Sequence, residues 1–322
     1  MPDIRLHGHP SDPGAQRSLL SDTAAAEWDR DIAHRAIDEL FVLAKKHRTS
    51  ESYFELMEFV ARFRDLAPFN AMLINTQMSG AQFVASAGRW KQDYQRSIKP
   101  AARPLVILQT MGPVMFVFDV SDTVPEPGAP PLPPDVEKPF DVRGQRIGGQ
   151  LERTIQNAAR DGIEVHDSKI GSQGAGMIGT SGARRVLRFP RRVRPAPEYV
   201  SVPVRYDVML NDAHSREAKY ATLAHELAHL YCGHLGSPDT RFWPDRRFVD
   251  GDVEEFEAES VSYLVCRRLG IETRSEAYLS GYVQRHPEPP QISLECVLKA
   301  AGLIEQMGRE RLPPRPEPKR KK

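Results

Sequence analysis

The sequence predicts an α+β fold in two domains: a small α/β N-terminal domain with a β-hairpin, and a C-terminal domain built around a helix that carries an HExxH motif. The chain has 322 residues, more than one average domain needs. Its 40% apolar and 27% charged residues are ordinary for a globular protein. A proline-rich segment with little apolar content separates the two halves. The expected parts are a flexible arm over residues 1–22, an N-terminal domain over 23–123, a Pro-rich linker over 124–140, a C-terminal domain over 141–310 and a basic disordered tail over 311–322.

Two helices and a hairpin are expected in the N-terminal half. Apolar residues at helical spacing over residues 23–48 predict an amphipathic helix. A second helix is expected to begin near Ser52, because Ser52 and Glu55 form a capping box ahead of another apolar stripe. Strand-like segments over residues 104–109 and 114–120, separated by a short turn sequence, predict the hairpin.

The C-terminal half alternates short strands with longer helices. The helical patterns cover residues 150–160, 215–232, 253–269, 275–285 and 293–307, and the strand patterns cover 163–166, 185–189 and 199–210. The glycine-rich segment 171–182 matches neither phosphate-binding pattern, GxxxxGK[ST] or a helix-opening GxGxxG. We therefore interpret it as a flexible connection.

The composition indicates the cellular compartment and the state of the three cysteines. No stretch approaches the roughly 18 uninterrupted apolar residues that a membrane helix needs, and no apolar signal-peptide core opens the chain. A cytoplasmic protein without a membrane partner is expected. Cys232, Cys266 and Cys296 are far apart in sequence, which favours buried thiols over a disulfide or a cysteine zinc site.

The segment around residue 225 carries the strongest functional signal. His225 and His229 are four residues apart within a helix-forming run, so both imidazoles can lie on one helical face and converge on a zinc ion. Glu226 is rotated by about 100° from His225, which lets it flank the metal and act as the general base on a water molecule. The pattern predicts a zinc-dependent hydrolase.

A third metal ligand is expected near residue 255. Four glutamates crowd the start of the next long helix, at positions 254, 255, 257 and 259. Any one of them could instead stabilise the helix through a favourable interaction with its dipole. Glu255 and Glu259 lie one turn apart, so one can bind zinc while the other orients a ligand histidine through its free ring N–H. An extended HExxHxxGxxH site is excluded, since Cys232 and Leu235 stand where its glycine and third histidine would be.

An additional donor is expected to stabilise the transition state. The candidates are Tyr278, Tyr282 and His234, the last of which is one residue out of the HExxHxxGxxH register. The alternative for each is a packed side chain without a catalytic role.

The metal motifs resemble two related families. The stretches from Tyr220 to His229, from Glu254 to Gly270 and from Ala277 to Tyr282 are similar to the metallopeptidase domain of ArdC-type antirestriction proteins, and more loosely to the ImmA/IrrE peptidases. Both families are gluzincin-like, so the resemblance implies a C-terminal zincin-like peptidase domain that binds Zn²⁺. It also implies that Glu255 is the third ligand and that Glu259 orients a ligand histidine.

The N-terminal half resembles the ArdC amino-terminal domain, which implies single-stranded DNA binding. The resemblance rests on Phe69-Asn70, Trp90, the segment Pro104-Leu-Val-Ile-Leu and the segment Val117-Phe-Asp-Val-Ser-Asp. The family's lysine- and glycine-rich turn before the first hairpin strand is replaced by Ile98-Lys-Pro-Ala-Ala-Arg. The resemblance therefore does not extend to this turn, and it implies no DNA contact there.

Aromatic and basic residues alternate in the same region. Single-stranded nucleic acid is bound by such mixtures of stacking faces and cations, although the aromatics could equally belong to the core. The candidate residues are Arg89, Trp90, Lys91, Tyr94, Arg96 and Lys99, near Phe83. A second arginine cluster over residues 184–194 is either a further phosphate-contacting surface or a solvated strand edge.

Three functions remain open at this point. The first is a peptidase that cleaves a protein or peptide, with an edge strand near residues 206–210 aligning the substrate. The second is a DNA-binding antirestriction protein with a non-catalytic zinc domain. The third is an ImmA/IrrE-like regulatory protease that acts on a repressor.

Overall fold

The computed structural model describes residues 49–109, 112–132, 147–169, 175–182, 184–192 and 194–316. Their helices and sheets confirm the α+β class. The chain divides into two compact units. Of the described residues, the first unit contains Thr76–Pro130, and the second contains those from Thr49 to Asn75 and those from Pro131 onward. The expected arm and first helix, part of the Pro-rich segment and the end of the tail lie outside the described residues.

The first unit is a small α/β arrangement that contains the predicted hairpin. Its elements are β1 (Val84–Ala85), α3 (Ala87–Tyr94), β2 (Arg96–Ile98), β3 (Leu105–Gln109), β4 (Gly112–Asp119) and β5 (Thr123–Pro125). Strand β4 pairs antiparallel with β3 and with β1, in the order β1-β4-β3, while β2 pairs with β5. Residues 104–109 and 114–120 were expected to form this hairpin, and the register Leu105 to Val117 confirms it.

Trp90 forms the centre of the first unit. Its side chain is fully buried, and its indole N–H donates to the Phe118 carbonyl at 2.9 Å. Phe83 and Tyr94 pack against its ring at 5.6 and 5.1 Å between centroids. Trp90 is therefore a core residue, and the expectation that it offers a stacking face to nucleic acid is corrected, because no face of the ring reaches solvent.

The second unit consists mainly of helices. They are α1 (Ser50–Arg62), α2 (Pro68–Gln77, whose last two residues belong to the first unit), α4 (Gln150–Ala158), α5 (Arg216–Tyr231), α6 (Gly251–Arg268), α7 (Arg274–Arg285) and α8 (Leu294–Arg309). Helix α1 begins earlier than expected, because the Thr49 side chain accepts from the Ser52 amide and is the cap in place of Ser52. It belongs to the second unit, whereas the sequence interpretation assigned it to the N-terminal domain.

A buried arginine fastens α1 to the other helices of this unit. Arg268 donates to the carbonyls of Val60 and Phe63 at 2.7 and 2.8 Å, and it pairs with Glu305 of α8. The last carbonyls of a helix have no partner within the helix, so a guanidinium in this position satisfies them and favours the helix dipole. One side chain thereby connects α1, α6 and α8.

Five strands flank these helices. They are β6 (Ile163–Ser168), β7 (Gly176–Thr180), β8 (Val186–Arg192), β9 (Glu198–Pro203) and β10 (Tyr206–Asn211). Strand β10 is central, parallel to β6 and antiparallel to β7, and β8 pairs with β9. The single strand expected over residues 199–210 is thus two strands in different sheets. Strand β7 lies in the segment interpreted as a flexible connection, and it occupies the edge that was expected near residues 206–210.

Within the described part of the chain, every helix is too short or too polar to cross a membrane.

Candidate metal centre

Helix α5 presents the two histidines of the HExxH motif on one face. It is capped by Ser215, whose hydroxyl accepts from the Ala218 amide at 3.2 Å. Its apolar residues are buried against α6 and the sheet. This packing fixes the rotation of the helix and leaves the Nε2 atoms of His225 and His229 3.2 Å apart.

Helix α6 brings Glu255 to the same point. Its Oε2 lies 3.6 Å from His225 Nε2, and its Oε1 lies 3.5 Å from His229 Nε2. Zinc bonds of about 2.1 Å in a tetrahedron place neighbouring donor atoms roughly 3.4 Å apart. The three side chains therefore fit a tetrahedral zinc ion, with the half-exposed Glu255 on the solvent side.

His229 is held in the form that binds metal. Burial, together with the neighbouring His225 and His234, lowers the pKa of His229 to about 3. The ring is therefore neutral at physiological pH, as a metal-binding imidazole must be.

Glu226 lies beside the histidines and faces β7. It is 9% exposed. Burial raises the pKa of its carboxyl, while His225 and a hydrogen bond with the backbone of Ile178 oppose the rise. A carboxylate whose proton affinity is increased by burial suits a general base that must take a proton from water near neutral pH.

Glu259 lies behind His225. Its Oε1 is 3.7 Å from His225 Nδ1, a distance too long for a hydrogen bond but close enough for electrostatic attraction. The structure thus puts Glu259 on the side of His225 opposite to Glu255, where an orienting group would be.

His234 lies behind His229 and away from the solvent side of the site. Its side chain is 1% exposed. Its Nδ1 is 3.1 Å from His229 Nδ1, and its Nε2 is 2.9 Å from a carboxylate oxygen of Glu257. The candidate role as transition-state donor is therefore corrected, because a substrate at the open side of the three ligands cannot reach His234.

The two tyrosines of α7 have different surroundings. Burial raises the pKa of Tyr278, and the charges of Glu259 and Glu255 raise it further. Tyr282 stacks on His286 at 4.4 Å between ring centroids, and besides burial only Asp252 raises its pKa. Tyr278 remains the better candidate for a donor.

The basic candidates of the first unit lie on α3 and the segment after it. Lys91 is exposed, and Arg89 pairs with Asp93 at 3.2 Å. Arg96 donates to the hydroxyl of Thr123, and Lys99 donates to the carbonyl of Ser121. Tyr94 packs on the buried Trp90.

The arginine cluster over residues 184–194 is partly neutralised. Arg185 pairs with Glu164 and Asp207, and Arg192 pairs with Glu198. Ion pairing across neighbouring strands supports the interpretation as a solvated strand edge.

Sequence reasoning missed Glu257 and Arg246. Glu257 is completely buried, and Arg246 donates to both of its oxygens at 2.6 and 2.8 Å. The helical spacing could have shown that Glu257 does not face the metal site. Position 257 is rotated by about 200° from position 255 and must face the opposite side of α6. Arg246 comes from an irregular loop, where periodicity gives no such signal.

The comparisons with known proteins agree with the motif. Residues 182–264 match the family model described as IrrE N-terminal-like domain, Peptidase_M78. This segment contains the HExxH helix and the start of α6, so the resemblance to the ImmA/IrrE peptidases is confirmed for this part of the chain. Among solved structures, the metal-free antirestriction protein ArdC from the R388 plasmid aligns with 14% identity and a TM-score of 0.34, over 74% of this chain and 81% of that chain. None of the curated proteins matches the chain.

Proposed function

We propose that this chain is a zinc-dependent metallopeptidase. The observation that carries the proposal is the convergence of His225, His229 and Glu255 at tetrahedral spacing beside the buried carboxylate of Glu226. The match of residues 182–264 to a peptidase family model supports it.

The chain's own residues account for the steps of peptide hydrolysis. When bound, zinc would polarise the scissile carbonyl and lower the pKa of a water molecule to about 7. The Glu226 carboxylate would take a proton from the attacking water as the water oxygen bonds to the carbonyl carbon, and would pass that proton to the amine nitrogen as the C–N bond breaks. Tyr278, whose pKa is raised by burial and by the charges of Glu259 and Glu255, is the donor that we propose for the oxygen on which negative charge develops.

Strand β7 is the proposed docking edge for the substrate. It is one of the two outer strands in the order β6-β10-β7, and the backbone of Ile178 contacts the carboxylate of Glu226. An extended peptide that adds to this edge would run past Glu226. We therefore propose a protein or peptide substrate bound in an extended conformation.

Metal content combined with peptide cleavage tests the function. Purified wild-type protein, reconstituted with Zn²⁺, is expected to contain one zinc per chain, and His225→Ala and Glu255→Ala are expected to lose it. Glu226→Gln should keep the zinc and lose at least about 100-fold in cleavage of an unfolded protein substrate, because only the base is removed. A wild type that takes up no zinc would overturn the proposal. Cleavage that survives in Glu226→Gln would overturn the role of the base.

A second candidate is the binding of single-stranded DNA by the first unit, in an antirestriction or mobile-element context. It is favoured by the exposed side chains of Arg89 and Lys91 on the same helix. Since Trp90 is buried, the contact should be mainly electrostatic. Lys91→Glu is expected to weaken binding of a single-stranded oligonucleotide and to reduce its salt dependence, and equal binding by Lys91→Glu and wild type would count against this candidate.

A further inference from the structure

A chain of buried polar side chains runs from the metal site into the protein. It leads from His229 Nδ1 to His234 Nδ1 at 3.1 Å, and from His234 Nε2 to Glu257 at 2.9 Å. The side chains of His234 and Glu257 are 1% and 0% exposed. Water therefore does not compete for these hydrogen bonds. The partners themselves determine which ring nitrogen carries each proton.

Glu257 determines which nitrogen of His234 is protonated, because its carboxylate is surrounded by hydrogen-bond donors. Arg246 donates to both oxygens at 2.6 and 2.8 Å, and the Ser293 amide donates to one of them at 2.6 Å. A carboxylate with these partners is an acceptor only. The His234 nitrogen that faces it, Nε2, must then carry a proton.

The protonation of His234 in turn determines which nitrogen of His229 carries a proton. The Arg246 guanidinium already balances the charge of Glu257, so the buried ring of His234 needs only the one proton on Nε2, and its bare Nδ1 can only accept. His229 Nδ1 must therefore carry the proton between the two rings. Its Nε2 is left with a free lone pair, and this is the atom that faces His225 and Glu255.

We infer that Glu257 and His234 are positioning residues that fix the tautomer of His229 before any metal arrives. The inference rests on the proposed zinc site. A carboxylate that acts on a ligand histidine directly is the common arrangement. Here a second histidine stands between the two, and the terminal carboxylate is itself held by a loop residue, Arg246, and by the N-terminus of α8.

The same groups do not form a second metal site. Cys232, His234 and Glu257 lie close enough together to hold an ion. However, the Arg246 guanidinium already occupies both oxygens of Glu257, so a cation there would meet a fixed positive charge. The His234 nitrogens are likewise engaged by His229 and Glu257.

The tautomers can be measured directly in the metal-free wild-type protein. Long-range ¹H–¹⁵N correlation on histidine-labelled protein distinguishes protonated from bare ring nitrogens, and His234→Ala assigns the signals. We expect His229 to be protonated at Nδ1 and His234 at Nε2. A proton on His234 Nδ1 would overturn the inference. This measurement needs neither zinc nor activity, so it stands apart from the test of the proposed function.

Zinc affinity gives a second readout. Glu257→Gln replaces an accepting carboxylate oxygen by an amide N–H₂, which is itself a donor and faces other donors. The tautomer of His229 is then no longer fixed, and zinc binding is expected to weaken about 10- to 100-fold in a chelator competition. Glu254→Gln removes a carboxylate from the same helix outside this chain of contacts, and its affinity should stay within about twofold of wild type. If a folded Glu257→Gln, checked by circular dichroism, binds zinc as the wild type does, the inference fails while the zinc site stands. If the wild type binds no zinc, the proposed function fails and the tautomers alone decide the inference.

Discussion

Tyr278 and Tyr282 share one helix, yet only Tyr278 feels the charges of Glu255 and Glu259. If Tyr278 donates to the developing oxyanion, Tyr278→Phe should lower kcat by about 100-fold with little change in KM, because the hydroxyl acts only in the transition state. Tyr282→Phe is the matched control and should keep kcat within about twofold. Steady-state kinetics on a peptide substrate measure this, and equal losses in the two variants would contradict the role of Tyr278.

Trp90 offers a second prediction for a single residue. Because the ring is fully buried and its N–H is bonded to Phe118, Trp90→Ala should destabilise the protein by about 3–5 kcal/mol in urea or thermal unfolding. Lys91→Ala, on the exposed side of the same helix, should change stability by less than about 0.5 kcal/mol. A stable Trp90→Ala that only loses DNA binding would restore the stacking interpretation.

At this scale, the sequence predicted which side chains come together better than it predicted what surrounds them. His225, Glu226 and His229 follow from helical spacing, and the structure places Glu255 within reach of both histidines. His234 could not be assigned, because a histidine in the turn after a helix may point toward or away from the cleft. Its orientation depends on Glu257 and Arg246, which are distant in sequence and reach it only through tertiary packing.

The edge strand β7 depends on a close approach to the HExxH helix. A Cβ built on Gly176 would lie 2.5 Å from a methyl carbon of Thr222 and 2.7 Å from the Met209 carbonyl oxygen. Gly176→Ala should therefore push β7 away from α5 and destabilise the protein by about 1–3 kcal/mol. Gly179→Ala is the control in the same strand, since a Cβ there meets nothing within 4 Å. Thermal unfolding compares the two, and equal melting temperatures would show that β7 does not pack as described.

Helices were more predictable than strands in this chain. The long helices α5, α6 and α8 follow from apolar periodicity and caps within the segment itself. Strand β7 was missed because glycines conceal its alternation, and the pattern over residues 199–210 gave no sign of the break between β9 and β10. Strand pairing depends on partners far along the chain, so local sequence carries less of it.

At the scale of the whole molecule, the two compact units set what metal binding can change. The site lies on α5 and α6, both within the unit from Pro131 onward, and their packing involves buried apolar residues that need no metal. The metal-free protein should therefore be folded. Zinc should add stability by mass action, about 2.7 kcal/mol when the free ion exceeds Kd a hundredfold.

Hydrogen exchange measured by mass spectrometry can localise that gain. Adding Zn²⁺ is expected to slow exchange in Arg216–Tyr231 and Gly251–Arg268, which carry the ligands, and to leave Leu105–Gln109 and Ala87–Tyr94 unchanged. His225→Ala should show no zinc-dependent change in either unit, because it lacks a ligand. Slowed exchange in the first unit would mean that metal binding is coupled to helix α3, which carries Arg89 and Lys91. The peptidase and DNA-binding proposals would then describe one linked activity instead of two separate ones.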